Sequence, residues 1–265
     1  MDNRCSTLSL TMSADGTALA CEQRGRGPAL VLVGGALCTS ASDAPLAELL
    51  AADFTVFTYD RRGRGGSGDR APYAVEREIE DLAAVVALAG GEAMVHGVSS
   101  GGALALRAAA AGVPVRRLSV YEPPYATGPE ARAAHLDRTQ RLRELLAEGR
   151  AGDALAEFLR AVGMPDEALH GLRRLPVWAD MEKLAHTLVY DHEVMGDGSV
   201  PADLLASVTG RVLVVDGGAS PAPLREAARA VASALPRARH RTLTGQTHEV
   251  APHVLAPALA AFLAE

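Results

Sequence analysis

The 265 residues suffice for one large domain or for a core carrying an inserted lid, and a hydrophobic content of 48 % allows a sizeable buried core. The formal charge of −6, with acidic and basic residues interspersed, excludes the one-sided basic face that nucleic-acid binding needs. The start MDNRCSTLSL lacks the basic opening and apolar run of a signal peptide, and no apolar run reaches the length of a membrane span. A soluble, reducing, cytoplasmic setting is the expectation.

Three cysteines, Cys5, Cys21 and Cys38, are scattered without CxxC spacing, so neither a zinc site nor a disulfide framework is indicated. Lys183 is the only lysine, and arginine and alanine dominate, which looks like the codon bias of a GC-rich bacterial genome.

In chain order, STLSLTM and TALACEQ flank the turn signal SADG and predict an opening hairpin. ALVLVGG predicts a buried strand entering a glycine turn, PLAELLA a short helix, and FTVFTYD a second buried strand. VEREIEDLAAVVALAG has helical amphipathic spacing and stops at Gly90. AMVHGV is a strand, SSGGALALRAAAAG a helix, and RRLSVYEPP a strand broken by two prolines. Near the end, RVLVVDGG and RHRTLTG are strands separated by the helix LREAARAVASAL, and PHVLAPALAAFLAE closes the chain as a helix. The alternation predicts a mostly parallel sheet covered on both faces. It breaks between 125 and 205, where RAAHLDRTQRLRELLAEG, DALAEFLRAVG and DMEKLAHTLVYDHEVM read as helices. The expected organisation is a core of residues 1–124 and 206–265 with a helical cap, 125–205, inserted in it.

Gly97-Val98-Ser99-Ser100-Gly101 fits G-x-S-x-G with Ser99 at its centre, after a strand and at the start of a helix. Such a turn strains the central residue and presents its side chain at a helix N-terminus, where developing negative charge is favoured. The alternative is a glycine-rich turn whose serines only cap the helix. A nucleophilic serine needs a base. His248, in TLTGQTHEVAPHV, lies in a loop after the last strand that can return to Ser99. His96 sits on the strand before the elbow and reads as a buried or supporting residue. His135, His170, His186 and His192 fall in the cap, and His253 starts the last helix. HEVAPH is not HExxH, so no metal is indicated.

These segments together resemble the α/β-hydrolase superfamily over nearly the whole chain outside the cap. VLVGGAL is similar to that family's oxyanion loop, although Gly34 stands where many members have histidine. YDRRGRGGSGDR resembles its D-x-R-G-x-G-x-S segment, VHGVSSGG its nucleophile elbow and GQTHEVAP its histidine loop. The resemblance implies an eight-stranded, mostly parallel sheet and oxyanion donors on the backbone NH groups of Ala36 and Ser100. The family's acid usually follows the penultimate strand as G-x-x-D-P. Here Gly217 and Pro221 align with the glycine and proline, and Ser220 stands at the aspartate. Two carboxylates are candidates: Glu122, ending the strand after the nucleophile helix, and Asp216, four residues before Ser220. Family geometry favours Glu122. The structural alternatives are that Glu122 anchors the cap and that Asp216 holds a loop.

Gly63–Gly68 also matches GxGxxG, but DRAPY follows where a helix should begin, so no nucleotide cofactor, and no cofactor of any kind, is expected. Trp178, Tyr125, Tyr190 and Met195 in or near the cap read as packing residues, some of them lining a pocket. The leading expectation is a serine hydrolase acting on a small, fairly apolar ester, lactone or related acyl compound. Non-hydrolytic lyase or cyclase chemistry on the same fold, and a ligand-binding module without turnover, are the alternatives. A small-molecule substrate is expected, with no nucleic-acid or membrane partner; oligomeric state is not legible.

Overall fold

The strand β3 (Ala29–Val33) is buried along nearly its whole length, as a strand covered on both faces must be. The computed structural model describes residues 6–265, so Cys5 lies outside the described residues. The hairpin β1 (Thr7–Met12) and β2 (Ala18–Arg24) opens an eight-stranded sheet. It continues with β3, β4 (Thr55–Tyr59), β5 (Ala93–Val98), β6 (Val115–Tyr121), β7 (Arg211–Gly217) and β8 (Ala238–Leu243) in the order β1-β2-β4-β3-β5-β6-β7-β8. The β1–β2 and β2–β4 pairings are antiparallel and all others parallel.

Side-chain alternation splits the core between the two faces. Leu30, Leu32, Met94, Leu213 and Val215 pack with α1 (Ser40–Leu50) and α11 (Pro252–Leu263) on one side. Val31, Val33, Val95, Val212 and Val214 pack with α2 (Val75–Leu88), α3 (Ser100–Ala110) and α10 (Ala222–Ala234) on the other. After β3 the chain crosses to β4 on one side and then back to β5 on the other. The crevice at this switch, beyond the carboxyl ends of β3 and β5, is where open α/β sheets place ligands.

Between β6 and β7 the chain forms six helices: α4 (Pro129–Ala147), α5 (Ala151–Ala161), α6 (Asp166–Leu172), α7 (Val177–Lys183), α8 (Thr187–Met195) and α9 (Ala202–Ala206). This insertion has a hydrophobic cluster of its own, built on Leu142, Leu145, Leu155, Leu159 and Leu188, against which Ala36 and Leu37 of the core pack.

Two local expectations change. The helix expected over PLAELLA starts earlier, at Ser40, because Thr39 and Ser42 cap each other reciprocally ahead of Pro45. The stretch 180–195, read as one helix, is two, with Leu184 capping α7 and His186 preceding α8.

Candidate active site

Ser99 holds a backbone geometry that a non-glycine residue adopts only under strain, φ 56° and ψ −127°. Neighbouring glycines make the turn possible. A Cβ on Gly97 would come within 2.5 Å of the Gly101 carbonyl oxygen, and one on Gly101 within 2.3 Å of that of Val33. The turn is pinned by the Ser99 NH, which donates to the Tyr121 carbonyl at 2.8 Å. Ser99 thereby stands half-buried at the N-terminus of α3. The loop after β3 lies against it: a Cβ on Gly35 would meet the Ser99 Cβ at 3.1 Å and its Oγ at 3.7 Å. Ala36 follows directly, and Leu37 turns the loop with φ 59°.

Glu122, one residue past β6, also has positive φ, 44°, and its side chain is fully buried. Its Oε1 accepts the Gly217 NH at 2.8 Å, and its Oε2 lies 2.8 Å from His248 Nδ1. Burial works to raise the Glu122 pKa. Hydrogen bonding by His248 and the Gly217 NH, with help from the Ser220 hydroxyl, outweighs burial and holds it below its ordinary value. Ser220 acts here at close range without a regular hydrogen bond of its own. An ionised carboxylate only accepts, so His248 Nδ1 is the donor in this contact, which directs Nε2 to the other side of the ring.

The His248 loop, between β8 and α11, is tied down at several points. Gly218 NH donates to the Leu243 carbonyl and Ala219 NH to that of Gln246, each at 2.8 Å. The Tyr121 hydroxyl donates to the Thr247 carbonyl, and the Ala251 NH to Gln246 Oε1 at 2.9 Å.

Asp216 is not brought to His248. It is completely buried on β7, with His240 Nε2 on β8 at 3.3 Å from Oδ2; among the described residues neither carboxylate oxygen has a regular hydrogen-bond partner. The remaining histidines lie elsewhere. His96 is buried beside Ser119 on β6, and burial lowers its pKa to about 4. His135 and His192 stack on each other at 4.7 Å inside the insertion. His186 faces Asp69 at 3.5 Å, His170 is on α6 and His253 is the second residue of α11.

The Gly63–Gly68 run folds around its own carboxylate rather than presenting a phosphate cradle. Asp60 Oδ2 accepts the Gly66 NH and Oδ1 the Ser40 NH, each at 2.7 Å, and α2 begins only at Val75. Among the described residues no cluster of potential metal ligands occurs, and no helix is long and apolar enough to cross a membrane. Tyr125 and Met195 are buried packing residues, Tyr190 stacks on Tyr73 at 3.8 Å, and Trp178 packs on the insertion's own core.

Sequence reasoning missed Asp191. This residue of α8 is buried against Arg61, Arg64 and Ser100, directly behind the elbow. The available signal was the run of three arginines, Arg61, Arg62 and Arg64, straight after a buried strand, because guanidinium groups at such depth require carboxylates.

Comparison with known proteins agrees with this architecture. A family model described as "Alpha/beta hydrolase family" matches residues 30–262. An alpha/beta hydrolase from Sphaerobacter thermophilus DSM 20745 is 52 % identical, with a TM-score of 0.87 over 96 % of this chain and 100 % of that one. At lower identity the fold alone is shared. The enol-lactonase from Burkholderia xenovorans LB400 is 21 % identical with TM-score 0.70, covering 97 % of this chain and 100 % of its own. A thermophilic esterase from Thermogutta terrifontis is 22 % identical with TM-score 0.72, covering 97 % and 98 %. No curated protein matches the chain.

Proposed function

The chain belongs to the alpha/beta hydrolase family, and on that premise we propose that it is a serine hydrolase working through an acyl-enzyme. The observation that carries this reading is the 2.8 Å contact between the ionised Glu122 and His248 Nδ1, at the sheet edge where Ser99 is held in its strained turn. Ser99 Oγ attacks the substrate carbonyl carbon as its proton passes to His248 Nε2. Glu122 stabilises the imidazolium that forms. The Ala36 and Ser100 NH groups receive the oxyanion. The intermediate collapses with cleavage of the ester C–O bond, and the departing alkoxide takes the proton from His248. Water then attacks the acyl group, gives a proton to His248 and releases the acid as Ser99 recovers its own. From a lactone the alcohol stays tethered, and the product is a hydroxy acid.

Residues 125–205 act in this reading as a cap over the crevice, and the substrate is a small, fairly apolar acyl compound. An enol-lactonase and an esterase among the similar folds suit that class. A cytoplasmic bacterial setting belongs to the same proposal. Turnover of short-chain aryl esters and simple lactones by the wild type and by Ser99→Ala tests it. The expected result is turnover that Ser99→Ala abolishes. Equal rates in the two proteins, or a wild type inert to both substrate types, overturn it.

A further inference from the structure

Arg61, Arg62 and Arg64 are almost wholly excluded from solvent, and each must find carboxylates there. Arg62 is satisfied within the core by a fork onto Asp81, both bonds 2.7 Å. Arg61 takes Glu78 in the same way, at 2.7 and 2.8 Å. Among the described residues Arg64 has no core carboxylate, and it turns to the insertion. Its Nη2 donates to both oxygens of Asp191 at 2.9 Å, and its Nε to the Thr187 hydroxyl at 3.2 Å. Thr187 and Asp191 are four residues apart on α8 and share one face. Asp191 Oδ1 also accepts from Arg61 Nη1 at 2.8 Å and from the Ser100 hydroxyl at 2.7 Å.

Both lines lead onward to the groups assigned to the oxyanion. Arg64 Nη1 donates to the Gly35 carbonyl at 2.9 Å. That carbonyl shares a planar trans peptide with the Ala36 NH, so fixing one fixes the opposite direction of the other. The second donor is the NH of Ser100, whose side chain Asp191 holds. Arg61 Nη1 adds a longer bond, 3.3 Å, to the Gly34 carbonyl. The insertion's apolar core touches the same loop at Ala36 and Leu37.

We propose that Asp191 is a positioning residue for the oxyanion hole: through Arg64 and Ser100 it aims the Ala36 and Ser100 NH groups, so that the hole is complete only when α8 is seated. The inference rests on the acyl-enzyme reading above and adds to it a dependence of the chemical step on the insertion. Burial works to raise the Asp191 pKa, but Arg64 and Arg61 hold it below its ordinary value, so the anchor is a charged one.

The test compares an aryl ester with its thionoester in Asp191→Asn and Ser100→Ala. A thiocarbonyl sulfur accepts hydrogen bonds poorly and draws little from an oxyanion hole, whereas general loss of folded enzyme slows both substrates equally. Asp191→Asn is expected to lower kcat for the ester ~10–10³-fold with KM within about threefold, and to lower the ester-to-thionoester ratio of kcat/KM by about tenfold or more. Ser100→Ala is expected to move the ratio the same way by a few-fold. Asp81→Asn removes an equally buried arginine partner that does not touch the loop, and it should leave the ratio at the wild-type value. If Asp191→Asn does not fold, Ser100→Ala decides, and an unchanged ratio there overturns the inference. An active wild type whose ratio is unaltered in both variants overturns the inference alone; a wild type inert to both esters overturns the acyl-enzyme reading and the inference with it.

Discussion

Two neighbouring strands end in buried carboxylates, and each carboxylate has a histidine in front of it. Glu122 follows β6, accepts the Gly217 NH and meets His248 at 2.8 Å. Asp216, on β7, meets His240 at 3.3 Å and makes no regular hydrogen bond among the described residues. Functional group and burial are alike, and the difference is aim. Asp216 is still in the pleat, so strand alternation assigns it to the face of Val212 and Val214, beneath α10. His240, opposite Val214 on β8, shares that face. Glu122 lies one residue beyond its strand, where a positive φ releases the side chain from the alternation. A residue just past a strand end can be turned toward a returning loop, whereas a residue inside the strand cannot.

The largest effects should come from the groups that Glu122 serves. Ser99→Ala should cost at least ~10³-fold in kcat/KM while leaving the thermal midpoint within a few degrees, and His248→Ala should cost about as much. The double variant should be little worse than either if the two residues share the proposed proton transfer; strict additivity in the kinetics would break that unit apart. Next, Glu122→Gln should lower kcat ~10²–10⁴-fold, because an amide cannot stabilise the imidazolium. Asp216→Asn should change kcat less than about threefold. The reverse order would move the orienting role to Asp216.

A third carboxylate sharpens the contrast on the stability side. Asp43, on α1, has a buried oxygen without a hydrogen bond among the described residues. Burial first, and then the charge of Asp60, push its pKa up to about 7. Between the unfolded value, near 4, and about 7, the folded protein therefore holds a proton that the unfolded chain has released. Stability contributed by Asp43 is full below that window and falls as pH rises through it, by up to about 1.4 kcal/mol per pH unit. Glu122 is opposite in sign: its depressed pKa contributes stability above the unfolded carboxylate value that is lost as pH falls toward the folded one. Asp43→Asn should flatten the decline of the urea midpoint between pH 4 and 7 and raise the midpoint at pH 8. An unchanged slope would mean that Asp43 ionises freely in the folded state.

The sheet was legible because its inner strands are mostly apolar runs such as ALVLV and AMVHGV, bounded by glycines, and because the family-like segments occur in order. The break at 184–186 was not legible, since DMEKLAHTLVYDHEVM keeps helical composition through it. Ser99 and His248 stood out through local context. Glu122 and Asp216 both emerged as candidates, but the backbone turn that separates them depends on pairing across the sheet and leaves no mark in either residue's neighbourhood. Asp191 left least trace of all: its partners Arg61 and Arg64 lie 130 and 127 residues away, and nothing local distinguishes it from any other acidic residue on a helix.

The most direct test of the central claim, that Glu122 and His248 activate Ser99, is the rate at which a fluorophosphonate labels the protein, with the adduct mapped by peptide mass spectrometry. Labelling forms the Oγ–P bond and expels fluoride, so it reports the nucleophile without needing the natural substrate. A single adduct on Ser99 is expected, formed at close to the wild-type rate in Asp216→Asn and slowed by about a hundredfold in Glu122→Gln. An adduct elsewhere, or slow labelling in Asp216→Asn with an unaffected Glu122→Gln, would contradict that claim.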